Sequence, residues 1–254
     1  TDTRYIYVEN LLNTILNRTE KTYGSAVLVR AEITLSRKRT KQALVAGDQL
    51  HVMAEAPKPG WEQDLLPIRI PIRKGIQGYR IFLIDKNSQT ALSKVQTLEQ
   101  LLEFTTGSGA QWSTRRVMED AGFNVITGPN YEGLFKMLMA GRFVTFGRGI
   151  NEIYPEYNAH TKDYSNLAIE KHLAVYIPLP TYFFVSPKKP MLAKRLKEGL
   201  LAMIADGSFD KIFWNHNGRM IEAANLQKRR IFKISNPNLS VETPLGVKEY
   251  WFNP

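Results

Sequence analysis

The sequence predicts an α/β protein built as two lobes. Extended and helical stretches alternate along most of its length, two polar or proline-marked segments interrupt the alternation, and one segment has the form of a binding edge. Extended stretches at Leu65–Ile72 and Arg80–Ile84 lead into the polar, turn-like run Asp85–Ala91, and a second alternation starts there. Lys171–Pro178 and Thr181–Ser186 are again strand-like, with Pro178 and Pro180 breaking them as the chain returns. Hinge segments are therefore expected near residues 83–87 and 179–186, with residues 1–84 and 186–254 forming one discontinuous lobe and 87–180 the other. Strands that alternate with helices imply mainly parallel sheets and a ligand cleft between the lobes.

Taken in order, Tyr5–Asn17 carries apolar residues at helical spacing, and Ala26–Ile33 alternates as a strand does. Arg37–Val45 reads as a basic helix stopped by Gly47, and Leu50–Ala54 as a strand followed by a loop at Pro57, Pro59 and Gly60. The second alternation offers a helix at Leu98–Leu102, a loop at Gly107–Gln111, a helix at Ser113–Ala121 and a strand at Asn124–Thr127. Next comes NYEGLFKMLMAGRFVTFGRGINE, Asn130 to Glu152. Leu134, Phe135, Leu138 and Met139 share one helical face, Gly141 stops the helix, and Phe143–Phe146 forms a buried strand. That strand delivers Arg148, Asn151 and Glu152 at its C-terminal end, where open α/β sheets bind ligands. Asn130 and Tyr131 read as cap and packing residues. Met191–Ala205 is an amphipathic helix closed by Asp206-Gly207, followed by helices at Phe209–His216 and Met220–Leu226 and a last strand at Arg230–Ile234.

Composition narrows the function classes. Over 254 residues, 43% hydrophobic and 11% aromatic content suffices for packed cores and excludes disordered and fibrous classes. No run approaches the roughly 18 apolar residues that span a bilayer. The N-terminal residues lack the order of a secretion signal, so a soluble chain with any signal already removed is expected. Zero cysteines rule out disulfides, thiol nucleophiles and cysteine-based metal sites. The net charge of +10 comes from scattered groups such as Arg37-Lys38-Arg39, Lys188-Lys189 and Lys228-Arg229-Arg230, with no basic arm or nucleic-acid motif, so no nucleic-acid partner is expected. The four histidines show no metal spacing, and neither a nucleophile elbow nor a P-loop is present. No metal, no cofactor and no catalytic residues are therefore expected.

Three stretches resemble bacterial extracellular solute-binding proteins of family three, the polar-amino-acid type of ABC transporters, and within it an uncharacterised proteobacterial subgroup. They are LLPIRIPIRKGIQGYRIFLI (Leu65–Ile84), the run Gly107–Glu152 containing AGFNVITGPNYEGLFKMLMAGRF, and ANLQKRRIFKISNP (Ala223–Pro237). The resemblance implies a type II periplasmic-binding-protein fold: two α/β lobes joined by two crossover strands, closing on a ligand by hinge motion. It also implies a periplasmic location, a small-molecule ligand and a membrane permease as partner, with the protein itself a monomer.

The resemblance and the strand ends together place candidate ligand-binding residues. Ser113 and Thr114 open a helix whose start holds a carboxylate in such proteins, with Trp112 as an apolar wall; otherwise Ser113 is an ordinary N-cap and Trp112 a packing residue. Arg69 brings a positive charge toward the ligand or lies on the outer face of its strand. Arg148, Asn151 and Glu152 contact the ligand, unless Arg148 and Glu152 form a simple helical pair. Glu55 is a further candidate at a strand end. Two departures stand out: Trp61 occupies the place of the usual carboxylate-clamping arginine, and Val144 or Thr145 that of the usual aspartate. The ligand expected is thus a small polar, anionic solute rather than an ordinary α-amino acid. A sensory or partner-binding module that signals to a membrane receptor is the alternative, and a lyase-type enzyme using Glu55 or Glu152 is a third reading.

Overall fold

In the computed structural model, residues 5–31 and 37–254 are described, the side chains of residues 37 and 38 excepted. In chain order the elements begin with helices α1 (Ile6–Arg18), α2 (Glu20–Tyr23) and α3 (Arg37–Ala46), strand β1 (Val52–Glu55), helix α4 (Trp61–Asp64) and strand β2 (Leu66–Ile68). They continue with β3 (Tyr79–Asp85), α5 (Gln89–Leu92), α6 (Leu98–Leu102), β4 (Thr106–Gly109), α7 (Ser113–Asp120), β5 (Val125–Gly128), α8 (Tyr131–Met139) and β6 (Thr145–Gly149). The remainder comprises α9 (Ile153–His160), β7 (Leu167–Ile169), β8 (Leu173–Tyr176), β9 (Tyr182–Val185), α10 (Pro190–Ala205), α11 (Ser208–Ala224) and β10 (Arg230–Lys233).

These elements divide into two units, the first from residues 1–74, 180–218 and 239–251, the second from 75–179, 219–238 and 252–254. The first boundary falls at Lys74/Gly75 rather than at 83–87, because β3 pairs with β6, β7 and β8 inside the second unit. Residues 219–238 belong to the second unit rather than to the first lobe, because β10 runs parallel to β8.

In the first unit, β9 lies between β1 and β2, antiparallel to both. Trp61, Leu65, Tyr182 and Phe184 with Leu44 form its core. Helix α1 buries Tyr7, Leu11, Leu12 and Ile15 at helical spacing, and Gly199 of α10 lies under Ile15, where a Cβ would collide.

The second unit holds a sheet of order β10-β8-β3-β6-β4-β5, with β7 also paired to β3. Phe82, Ile84, Val117, Met118, Leu173, Val175 and Ile177 centre its core. Only β10/β8, β4/β5 and β4/β6 are parallel among the described pairings, so the expectation of mainly parallel sheets is corrected: β3 enters antiparallel to three neighbours.

Other local expectations also change. Residues 26–31 form no regular element, with Val27 and Val29 exposed, and the rest of that expected strand lies outside the described residues. The Gly107–Gln111 loop is in fact largely strand β4: Gly107 and Gly109 let the rings of Phe143 and Trp112 lie directly on the backbone, where a Cβ would collide. The expected strand Phe143–Phe146 is shifted to β6, so Arg148 lies within it. The helices at 209–216 and 220–226 are one helix, α11. Asn217 inside it is fully buried and donates from Nδ2 to the Phe213 carbonyl at 3.0 Å.

Candidate functional site

Parallel strands β5, β4 and β6 end side by side at one edge of the second unit, and each leads into a helix: α8, α7 and α9 respectively. Three helix N-termini, each a partial positive charge with unpaired amides, thus gather at the carboxyl ends of three strands. Asn130 caps α8, its side chain accepting from Gly133 N at 2.7 Å, in keeping with its reading as a cap. Pro155 is tolerated in α9, which the sequence did not announce, because a first-turn amide has no intrahelical acceptor.

Arg148 occupies this edge and is only 5% exposed. Its Nε and Nη2 donate to the two carboxylate oxygens of Glu156, each at 2.6 Å, while Nη2 also lies 3.3 Å from Glu152. The guanidinium carbon stands 4.3 Å from the ring centre of Trp112, with Phe146 at 5.4 Å and Tyr131 at 6.0 Å. Nη1 donates to no described residue. Burial pulls the Arg148 pKa down, but the charges of Glu152 and Glu156 outweigh it and raise the value.

Arg80 on β3 completes the cluster, since register sets it across from Gly149 and sets Ile81 across from Arg148. It donates to the carbonyls of Gln77 at 3.1 Å and Gly147 at 2.5 Å and lies 3.5 Å from Glu152, which therefore bridges both arginines. Burial pulls the Arg80 pKa down to about 10, with Glu152 opposing. Two capacities are left unused at this cluster: the buried Arg80 Nε and the buried Asn151 Oδ1 have no hydrogen-bond partner among the described residues.

Trp112, Arg148 and Glu152 are thus brought together, with Ser113, Thr114 and Asn151 beside them in the chain. Trp112, not Ser113, is the N-cap residue of α7; Ser113 opens the helix and Thr114 is buried. The reading of Arg148 and Glu152 as a simple helical pair is corrected, because Arg148 lies in a strand and its two-bonded partner is Glu156.

The first-unit candidates are placed differently. Trp61 is a core residue, edge-on to Phe184 at 5.3 Å and under Lys58 at 5.4 Å. Glu55 lies 3.8 Å from Lys58 and accepts from Ala56 N at 3.1 Å. Arg69 pairs with Glu62 at 2.8 Å and with Glu242, while Ser240 donates to Glu62 at 3.0 Å, so its charge is compensated on the spot.

Sequence reasoning missed Arg80 and Glu156. Arg80 had a signal, a charge inside the apolar strand YRIFLI, which must find a partner once buried. Glu156 had none beyond lying one helical turn after Glu152. Among the described residues no group of acidic or histidine side chains is placed to hold a metal ion, and no helix is long and apolar enough to cross a membrane.

No protein-family model matches the chain, and no curated protein matches it significantly. Solved structures do. An ancestral arginine-binding protein bound to arginine is 18% identical, with a TM-score of 0.55 over 83% of this chain and 87% of that one. A periplasmic His/Glu/Gln/Arg/opine family-binding protein from Silicibacter pomeroyi in complex with lysine is 10% identical, with a TM-score of 0.56 over 84% and 86%. An ancestral amino-acid-binding protein, a precursor of cyclohexadienyl dehydratase, is 14% identical, with a TM-score of 0.54 over 83% and 85%. At such identities the likeness speaks for the fold: this chain has the type II periplasmic-binding-protein fold of those amino-acid-binding proteins.

Proposed function

We propose that this chain is a periplasmic solute-binding protein that captures a small polar, anionic solute and presents it to an ABC permease. The observation that carries the reading is the double role of Trp112. It is the residue from which α7 starts and the ring against which Arg148 lies, so free helix amides and the open Nη1 edge of a fixed guanidinium border one spot. Both favour a carboxylate or a comparable anion. The fold supports solute binding as such, since the structural relatives include an arginine-bound and a lysine-bound protein. The anionic preference rests on this chain's own residues. A catalytic reading has weaker support, because Glu152 and Glu156 are both engaged by arginines.

Thermal unfolding in the presence of succinate, L-glutamate, L-glutamine, L-lysine and L-arginine tests the reading. A true ligand at a hundred times its Kd adds about 2.7 kcal/mol, or roughly 5–10 °C in Tm for a chain of this size. The acidic solutes are expected to give the shift, and Ser113→Ala and Arg148→Met to reduce it. A shift that survives both substitutions unchanged removes this edge from the binding site.

A further inference from the structure

We infer that Arg148 is a built-in occupant of a receptor for planar cations, and that its side chain is what bars guanidinium-bearing solutes from this edge of the second unit. The inference goes beyond the solute-binding reading and stands on the second unit's geometry alone. A free guanidinium is recognised in two ways: in its plane by a carboxylate that accepts two parallel hydrogen bonds, and on its face by an aromatic ring. Here Glu156 supplies the first at 2.6 Å and 2.6 Å, and Trp112 the second at 4.3 Å, with Phe146 and Tyr131 along the border. Glu152 adds a second carboxylate at 3.3 Å.

Withdrawing the Arg148 headgroup leaves two partly or largely buried carboxylates with one cation fewer, Arg80 remaining beside Glu152. A buried carboxylate without its partner is costly, so the vacated place draws in a cation of matching shape.

The test is chemical rescue, read by thermal unfolding of the full chain. With about 10 mM methylguanidinium, Arg148→Ala is expected to gain roughly 3 °C or more while the wild-type protein does not move. L-Arginine should act likewise. Urea, which has the shape without the charge, and tetramethylammonium, which has the charge without the planar donors, should not. Adding Glu156→Gln to Arg148→Ala should abolish the gain. No gain in Arg148→Ala, an equal gain in the wild-type protein, or an equal gain with urea or tetramethylammonium overturns the inference. If Arg148→Ala does not fold, Arg148→Met, which keeps an alkyl stem against the rings, is read in the same way. If neither folds unaided, soluble protein recovered on refolding with methylguanidinium but not with urea supports the inference, and failure with both overturns it. An anionic solute that binds the wild-type protein bears on the functional reading and leaves this result untouched.

Discussion

The second unit contains two buried arginine–glutamate networks, and they differ in how much hydrogen-bonding capacity they leave unused. At the first, Glu170 is fully buried and accepts from the amides of His172 at 2.8 Å and Leu173 at 2.6 Å and from Gln89 Nε2 at 2.9 Å. Its partner Arg229 donates to the carbonyls of Ala224, Glu170 and Leu173, tying the end of α11 to β8. Burial lowers the Arg229 pKa, and Glu170 only partly offsets this. At the second, Arg148 lies against an aromatic ring with an open donor edge, Arg80 keeps an unpaired Nε, and Asn151 an unpaired Oδ1. Burial and ion pairing are common to both. Unused hydrogen-bonding capacity at the carboxyl ends of parallel strands belongs to the second alone.

Substitutions should break the two networks differently. Glu170→Ala strips several donors of their acceptor and leaves Arg229 unpaired, a loss of about 3–5 kcal/mol in urea unfolding. Its relative response to small solutes should match the wild-type protein, and an altered response would erase the distinction. Glu156→Gln removes one charged, two-bonded acceptor, for about 2 kcal/mol, and frees donors of Arg148. It should therefore be stabilised by succinate more than the wild-type protein is. Trp112→Leu loses the ring beneath a guanidinium, for about 0.5–1 kcal/mol beyond its lost area.

The smallest effect lies in the first unit and serves as a control outside both networks. Burial, then the charge of Arg73, lowers the His216 pKa below its ordinary 6.5. The unfolded chain binds the proton more readily, so this contribution is full above the unfolded value and is lost as pH falls through the folded one. His216→Gln should flatten that limb of the stability curve below about pH 6.5. A steeper limb would mean that His216 is protonated more readily in the folded protein than in the unfolded chain.

Legibility in the sequence followed the range of the interactions. Helix faces and stops are local, so the α8 face of Leu134, Phe135 and Leu138 and the stops at Gly141 and Gly207, both at positive φ, were readable. Pairings between distant segments were not. The antiparallel register of Arg80 with Gly149 decides that two arginines share Glu152, and no periodicity within either segment contains it. Strand β4 read as a loop for a related reason: Thr-Gly-Ser-Gly has no apolar alternation, and what makes it a strand is its pairing with β5 and β6, with the rings of Phe143 and Trp112 lying over its glycines. Arg148 and Glu152 were legible as candidates because polar residues after a βα unit point to an edge, whereas Trp112 became one only through the family resemblance. Glu156 and Arg80 emerge only once the edge is folded.

On the function proposed above, the fixed guanidinium of Arg148 makes this edge a place for anions. Calorimetric titration of the wild-type protein and Arg148→Met with succinate, L-glutamate and L-arginine tests it most directly. The wild-type protein should bind an acidic solute and not L-arginine, and Arg148→Met should weaken the first and gain the second. Binding of L-arginine to the wild-type protein, with the same affinity in Arg148→Met, would contradict it.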